Sequence, residues 1–277
     1  MTLNILSLGA GVQSSTMALM AAHGELPRVN AAIFADTGAE PDAVYEWLDY
    51  LESVVTNALR VDQPFPVYRV SAPGPDLKQR LLLTAKGEKM RQGVPLYGLN
   101  NDGTPMILMR QCTSNFKIDP LRKKLRDILG LVPRQRVPKG TQVNLWMGIT
   151  TDEAVRMKPS RDKWITHTWP LIEKRMSRGD CLEWMAKYDL TPPKSACSFC
   201  PFHSDAMWRD IKLNDPKSWA DAVEVDEAVR GGVYGSKAKA LYLHKSLTPL
   251  SEIDFRNLED KGQLNMFNNE CEGMCGV

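Results

Sequence analysis

The N-terminal half of the chain alternates short apolar runs with amphipathic ones. Residues 3–8 form an apolar run that predicts a strand, Gly9-Ala10-Gly11 breaks it, and 14–23 has helical composition closed by Gly24. A second such unit follows. Residues 31–35 read as a buried strand, Asp36-Thr37-Gly38 as a polar turn, and Pro41 sits near the first turn of a helix running to about Asn57. Within that helix Val44, Trp47, Leu48, Leu51 and Val55 fall at intervals of 3, 1, 3 and 4, which places them on one face. Residues 67–70 give a third strand, 118–129 a helix and 143–147 a further buried strand, whereas 84–105, rich in Gly, Pro and Asn, reads as a long irregular excursion. From about Ser177 the pattern turns helical, over 177–188, 204–214 and 216–230.

Strands alternating with helices predict a doubly wound α/β fold with a mostly parallel sheet, covered on both faces and binding ligands at the carboxyl ends of its strands. The expected organisation is an α/β domain over 1–190 and a small cysteine-containing helical C-terminal subdomain and tail over 191–277.

Composition narrows the class. With 43% hydrophobic and 25% charged residues in 277, the chain has ordinary globular usage, which excludes collagen-like, coiled-coil and disordered readings. The first basic side chain is Arg28, and Ser7, Gln13, Ser14, Ser15 and Thr16 interrupt the apolar start, so neither a signal peptide nor a membrane span is expected. The net charge of +2 conceals three blocks: −6 over 1–77, +13 over 78–178 and −5 over 179–277. A cationic middle suits nucleotide phosphates or a nucleic-acid backbone, and equally a set of solvated helix faces. Six cysteines are too sparse for a disulfide scaffold and fit a reducing cytoplasm, where Cys197-Ser-Phe-Cys200 reads first as a metal, iron–sulfur or redox element.

Three constellations carry chemistry. In Ser7-Leu8-Gly9-Ala10-Gly11-Val12-Gln13-Ser14-Ser15, glycines allow a tight turn, while helix-start amides and the Ser14 and Ser15 hydroxyls can donate to phosphate or sulfate oxygens. The same segment also reads as a serine-capped helix after a glycine turn. Asp36-Thr37-Gly38-Ala39-Glu40, at the tip of the second strand, could hold a ribose, an adenine edge or Mg²⁺, or simply cap a helix. Cys112 with Cys197 and Cys200 offers soft thiolate ligands for an iron–sulfur cluster or zinc, with a redox pair or buried thiols as the alternatives. The fourth ligand would be Cys271, Cys275 or a residue other than cysteine, and Cys181, on a helical pattern with Trp184 and Met185, reads as core.

Taken together, the glycine turn ending in serines, the Asp36-Thr37-Gly38-x-Glu40 segment and Cys112-Thr113-Ser114-Asn115-Phe116-Lys117-Ile118-Asp119-Pro120 resemble the phosphoadenosine phosphosulfate (PAPS) reductase-like branch of the adenine nucleotide alpha hydrolase, or PP-loop ATP pyrophosphatase, superfamily. The resemblance spans about residues 3–202. It implies ATP or another adenine nucleotide held by Ser7, Gly9, Gly11, Gln13, Ser14, Ser15, Asp36, Thr37, Gly38, Glu40 and Gly148. It further implies Lys117, Arg156 and the thiols of Cys112 or Cys271 as catalytic groups, and a 4Fe–4S cluster on Cys112, Cys197, Cys200 and Cys275, with zinc as the alternative. Gln13 stands where ATP pyrophosphatases carry Asp, closer to the sulfonucleotide reductases, and the Gly148–Arg156 segment has Thr where reductases place Arg.

The implied activity is ATP-dependent adenylylation of an acceptor with pyrophosphate release, followed by sulfur transfer. Reduction of adenylyl sulfate or its 3′-phospho form and a non-catalytic nucleotide-binding regulatory module are the alternatives. The expected partners are a nucleic-acid or other anionic acceptor and a protein donating sulfur or electrons.

Overall fold

A computed structural model describes residues 2–91 and 93–256. In chain order the first elements are β1 (Thr2–Leu8), α1 (Val12–Ala22), β2 (Ala31–Asp36), α2 (Asp42–Val55), β3 (Val67–Ser71) and α3 (Leu77–Ala85). Two short strands follow, β4 (Tyr97–Leu99) and β5 (Pro105–Ile107), then a π-helical turn over Thr113–Ile118 that runs into α4 (Asp119–Ile128). β6 (Gln142–Trp146), a 3₁₀ turn (Thr151–Arg156), β7 (Ile165–Thr168), α5 (Pro170–Glu173) and α6 (Arg178–Ala186) come next. The chain then forms α7 (Asp205–Asn214), α8 (Pro216–Val229) and β8 (Ala240–Tyr242).

These elements divide between two compact units. The first comprises the described parts of Met1–Asp36, Glu40–Ala72 and Phe116–Ser195; the second comprises those of Thr37–Ala39, Pro73–Asn115 and Ala196–Val277. The second unit thus takes in 37–39 and 73–115 as well as the C-terminal helices.

In the first unit β3, β2, β1, β6 and β7 lie in that order as a parallel sheet, a doubly wound α/β arrangement. Strand alternation feeds two cores. Leu6, Leu8, Ala32, Phe34 and Trp146 point to one face and are covered by Met17, Leu48, Trp184 and Met185 from α1, α2 and α6. Ile5, Ile33, Val143, Leu145 and Ile165 point to the other, under Leu121 and Leu125 of α4. Both faces being covered explains why β1 and β2 read as near-continuous apolar runs. Of the expected stripe of α2, Val44, Leu48, Leu51 and Val55 are buried and Trp47 is part-buried against the same core.

The strand order reverses at β1, which pairs with β2 through Ile5↔Ala31 and with β6 through Ile5↔Leu145. Such a reversal is a topological switch point, where the loops leaving neighbouring strands diverge and open a crevice at the carboxyl ends.

The second unit builds a three-stranded antiparallel sheet, β5-β4-β8, beside α3, α7 and α8. Part of the excursion expected to be irregular is therefore strand, with Gly98 paired to Leu241. Buried Asp226 of α8 organises this unit: its carboxylate accepts from the backbone N–H groups of Leu243 and Leu250 and pairs with Arg230.

Candidate functional site

The loops at the switch point carry the residues singled out in the sequence. After β1 the chain turns through Ala10, whose φ of 57° is unusual for a residue with a side chain. Ser14 holds this turn: its Oγ accepts from the N–H of Gly9 at 3.1 Å and donates to the carbonyl of Gly11 at 3.3 Å. α1 then begins at Gly11 with no side-chain cap and no acidic residue in its first turn. An uncapped helix start of this kind can hold an anion. Ser15 has another task. It is fully buried, and its Oγ accepts from the indole N–H of Trp47 at 2.9 Å, fixing α2 against α1.

Gly148, just beyond β6, comes up against the start of α1; a Cβ there would lie 3.2 Å from the backbone nitrogen of Ser14 and 3.3 Å from the Cβ of Gln13. The Gln13 side chain joins the start of α1 to the 3₁₀ turn and α6, donating from Nε2 to Glu153 at 3.1 Å and accepting at Oε1 from Arg178 at 3.5 Å. Glu153 also pairs with Arg156. Two guanidiniums and one carboxylate therefore gather beside an uncapped helix start. Asp152, in the same turn, accepts from the backbone N–H of Arg178 at 3.0 Å. Against the opposing effect of burial, the hydrogen bond from the Arg178 backbone and the nearby Arg178 charge help keep its carboxyl below the ordinary value.

At the end of β2, Asp36 accepts from the Tyr45 hydroxyl at 2.8 Å, and burial followed by this bond pushes the Tyr45 pKa well above its usual value. Glu40, almost fully buried, meets Lys117 Nζ at 3.4 Å and accepts from the Ser195 hydroxyl at 3.3 Å. Arg178 and Ser195 were not singled out in the sequence. Both lie more than 150 residues from their partners, Gln13 and Glu40, so no local spacing could signal them.

The second unit holds the cysteines. Cys112, Cys197 and Cys200 are each part-buried within it. Thr37 Oγ1 stands 3.5 Å from Cys197 Sγ, and the N–H of Ser198 donates to the Ala39 carbonyl at 2.8 Å. Thr37 and Gly38, expected beside a nucleotide, thus belong to the unit that carries the Cys197–Cys200 turn. His203 Nε2 lies 2.9 Å from the Cys197 carbonyl, and its ring meets Trp208 edge-on. Arg110, two residues before Cys112, stacks over Phe202, two residues after Cys200, bringing the two cysteine segments together.

Among the described residues, however, no three His, Cys, Asp or Glu side chains converge closely enough to hold a metal ion. Cys112, Cys197 and Cys200 therefore do not by themselves fit a cluster or zinc. Cys271 and Cys275 lie outside the described residues. Cys181 is core: fully buried, with burial pushing its thiol up to about 11 despite a hydrogen bond with Thr16. Among the described residues no helix is long and apolar enough to cross a membrane.

The first unit defines the class, a doubly wound α/β domain with polar side chains gathered at its switch point. No family model matches the chain. Among curated proteins it is similar to an uncharacterised 37.8 kDa protein in the gpa 5′ region of Escherichia phage 186, with 28% identity over 172 residues, covering 55% of this chain and 49% of that protein. The chain thus matches about half the length of that relative.

Proposed function

We propose that the protein is an adenine-nucleotide-dependent enzyme of the PAPS reductase-like kind, which activates an acceptor with ATP and transfers sulfur to it. The observation that carries this reading is the uncapped start of α1 at the switch point, braced by Ser14 and flanked by Arg156 and Arg178 through Glu153 and Gln13. In this mechanism the α1 amides and Ser14 hold phosphate oxygens, and the two arginines offset charge as it moves toward the leaving pyrophosphate. An acceptor oxygen attacks the α-phosphorus and pyrophosphate departs. A donor protein leaves its sulfane sulfur on Cys112 or Cys271 as a persulfide, whose outer sulfur attacks the activated carbon and displaces AMP; a second thiol then cleaves the resulting enzyme–acceptor disulfide, releasing the thiolated acceptor and leaving an enzyme disulfide that an electron-donor protein reduces.

Gln13 favours a second reading, reduction of adenylyl sulfate or its 3′-phospho form. It places a neutral amide where a pyrophosphatase carries a carboxylate, and that amide is tied to Glu153 and Arg178. One experiment addresses both readings: nucleotide binding by calorimetry, followed by pyrophosphate release from ATP with candidate acceptors and sulfite release from adenylyl sulfate. Pyrophosphate release that falls in Ser14→Ala supports the first reading, and sulfite release supports the second. Binding without turnover would leave a regulatory module, and absence of adenine-nucleotide binding would overturn the site.

A further inference from the structure

The first unit carries a concentration of positive charge that the nucleotide reading does not use. Leaving out Arg156, the chain between Arg122 and Lys163 has ten Lys and Arg against four Asp and Glu. The fold gathers many of them around one helix. α4 buries Pro120, Leu121 and Leu125 toward the sheet and turns Lys123 to solvent. From its last turn Arg126 reaches back to the carbonyls of Val132 and Gln135, at 3.3 and 2.6 Å, so that the following loop is drawn onto the helix. That loop is further fixed by Gln135, whose Oε1 accepts from the N–H of Val132 at 3.0 Å and whose N–H donates to the Val132 carbonyl at 3.1 Å. It exposes Arg134, Arg136 and Lys139. A second basic segment is tethered in the same way: Arg122 of α4 binds Asp162 at 2.6 Å, and Asp162 stands between exposed Arg161 and Lys163.

Two arginines of α4 are thus occupied in holding loops whose exposed side chains are themselves cationic. Among the described residues Lys123, Arg134, Arg136, Lys139, Arg161 and Lys163 make no ion pair. Gathering like charges opposes folding through self-repulsion, which a polyanion would relieve. Residues 119–141 contain no aromatic side chain on which bases could stack, and the aromatics beside the surface, Tyr68 under Lys124 and Trp164 after Lys163, are packed against the sheet core, so the chemistry presented is phosphate-binding and indifferent to sequence.

We propose that α4 and its two tethered loops form a docking surface for the sugar–phosphate backbone of a nucleic acid, duplex rather than single-stranded. This deepens the proposed function by naming the acceptor's class, but it is tested without ATP, so that either can fail alone.

The experiment is fluorescence anisotropy with a labelled duplex DNA, a duplex RNA and a single-stranded oligonucleotide across a salt series. The proteins compared are the wild type, the triple variant Arg134→Ala/Arg136→Ala/Lys139→Ala, and a control, Lys86→Ala/Lys89→Ala, on exposed lysines elsewhere. Duplex binding should weaken at least tenfold in the triple variant, with the slope of log affinity against log salt shallower by roughly 2 to 3, since each lost phosphate contact removes about 0.9 from it. Circular dichroism and adenine-nucleotide affinity should be unchanged, because α4 keeps Arg122 and Arg126. Equal losses in control and triple variant, tighter binding to the single strand, or binding to phosphatidylserine vesicles but to no nucleic acid would each overturn the proposal.

Discussion

Single residues decide two features of this chain that can be tested directly. Gly38 has a φ of +68°, and a Cβ there would sit 2.5 Å from the Cβ of Asp76. Asp76 is itself committed, capping α3 by accepting from the N–H of Gln79 at 2.8 Å. Gly38→Ala therefore combines left-handed strain with displacement of a cap, and should cost about 2 to 4 kcal/mol in urea unfolding. Gly87→Ala, at φ +93° with nothing within 4 Å, should show only the strain. Equal losses at the two positions would remove the Asp76 contact from the argument. Cys181 provides a pH test. Its native pKa of about 11 exceeds the ordinary 9.0, so the native state retains the proton that the unfolded state releases. The resulting stabilisation is complete below pH 9 and is lost as the pH rises toward 11. At pH 8 iodoacetamide should label the part-buried Cys112, Cys197 and Cys200 well before Cys181, and early labelling of Cys181 would contradict its burial. Its core position was legible from Trp184 and Met185 one turn along. The commitment of Ser15 to Trp47 was not, because it depends on how α2 packs over α1.

At the scale of elements, legibility followed length and periodicity. α2, α4, α7 and α8 begin and end within a few residues of their expected limits, since each carries several turns of apolar spacing or a recognisable first residue, as with Ser204 before α7 and Pro216 opening α8. β4 and β8 have three residues each and draw on partners more than 140 positions away, so neither shows a period-two pattern long enough to read. α3 was hidden for another reason: Leu82 and Leu83 blur the Leu77–Leu81–Thr84 stripe that it actually buries. The caps have measurable weight. Ser204 accepts from the N–H of Met207 at 3.2 Å, and Ser204→Ala should lower stability by about 1 kcal/mol. The next residue adds a pH dependence. Asp205 is partly desolvated, which by itself would raise its pKa, but hydrogen bonds from His244 and Lys245 hold it below the ordinary 3.8. A depressed native carboxylate stabilises above its unfolded value and loses that contribution as the pH falls. The stability gap between wild type and Asp205→Asn should therefore be open at pH 6 and narrow toward pH 3. A gap that stays constant over that range would show that the pairing with the 244–245 segment does not stabilise α7.

For the molecule as a whole, the doubly wound core was legible because its strands and helices alternate in sequence, and the reversal of strand order at β1 then places any ligand crevice where Gly9, Gln13, Ser14 and Gly148 come together. The second unit was not legible, because it is assembled from three separate stretches, 37–39, 73–115 and the C-terminal part, and no local pattern announces that Thr37 will meet Cys197. That division gives the nucleotide reading a test that does not depend on turnover. A ligand bound only to the native state raises stability by RT ln(1 + [L]/Kd), about 2.7 kcal/mol at a hundred times Kd. ATP or adenylyl sulfate should therefore raise the melting temperature in a concentration-dependent way. Hydrogen exchange should slow in 9–15 and 148–156 of the first unit, where the uncapped amides of α1 and the Glu153–Arg156 turn lie. Ser14→Ala, which releases the Gly9 N–H and the Gly11 carbonyl from their shared partner, should cut nucleotide affinity by roughly tenfold, about 1.4 kcal/mol, as expected for loss of one charge-assisted phosphate contact and its brace. Protection that appeared instead around 197–203 would locate the ligand in the cysteine-bearing unit, and the arginines gathered at Gln13 and Glu153 would then serve the fold alone.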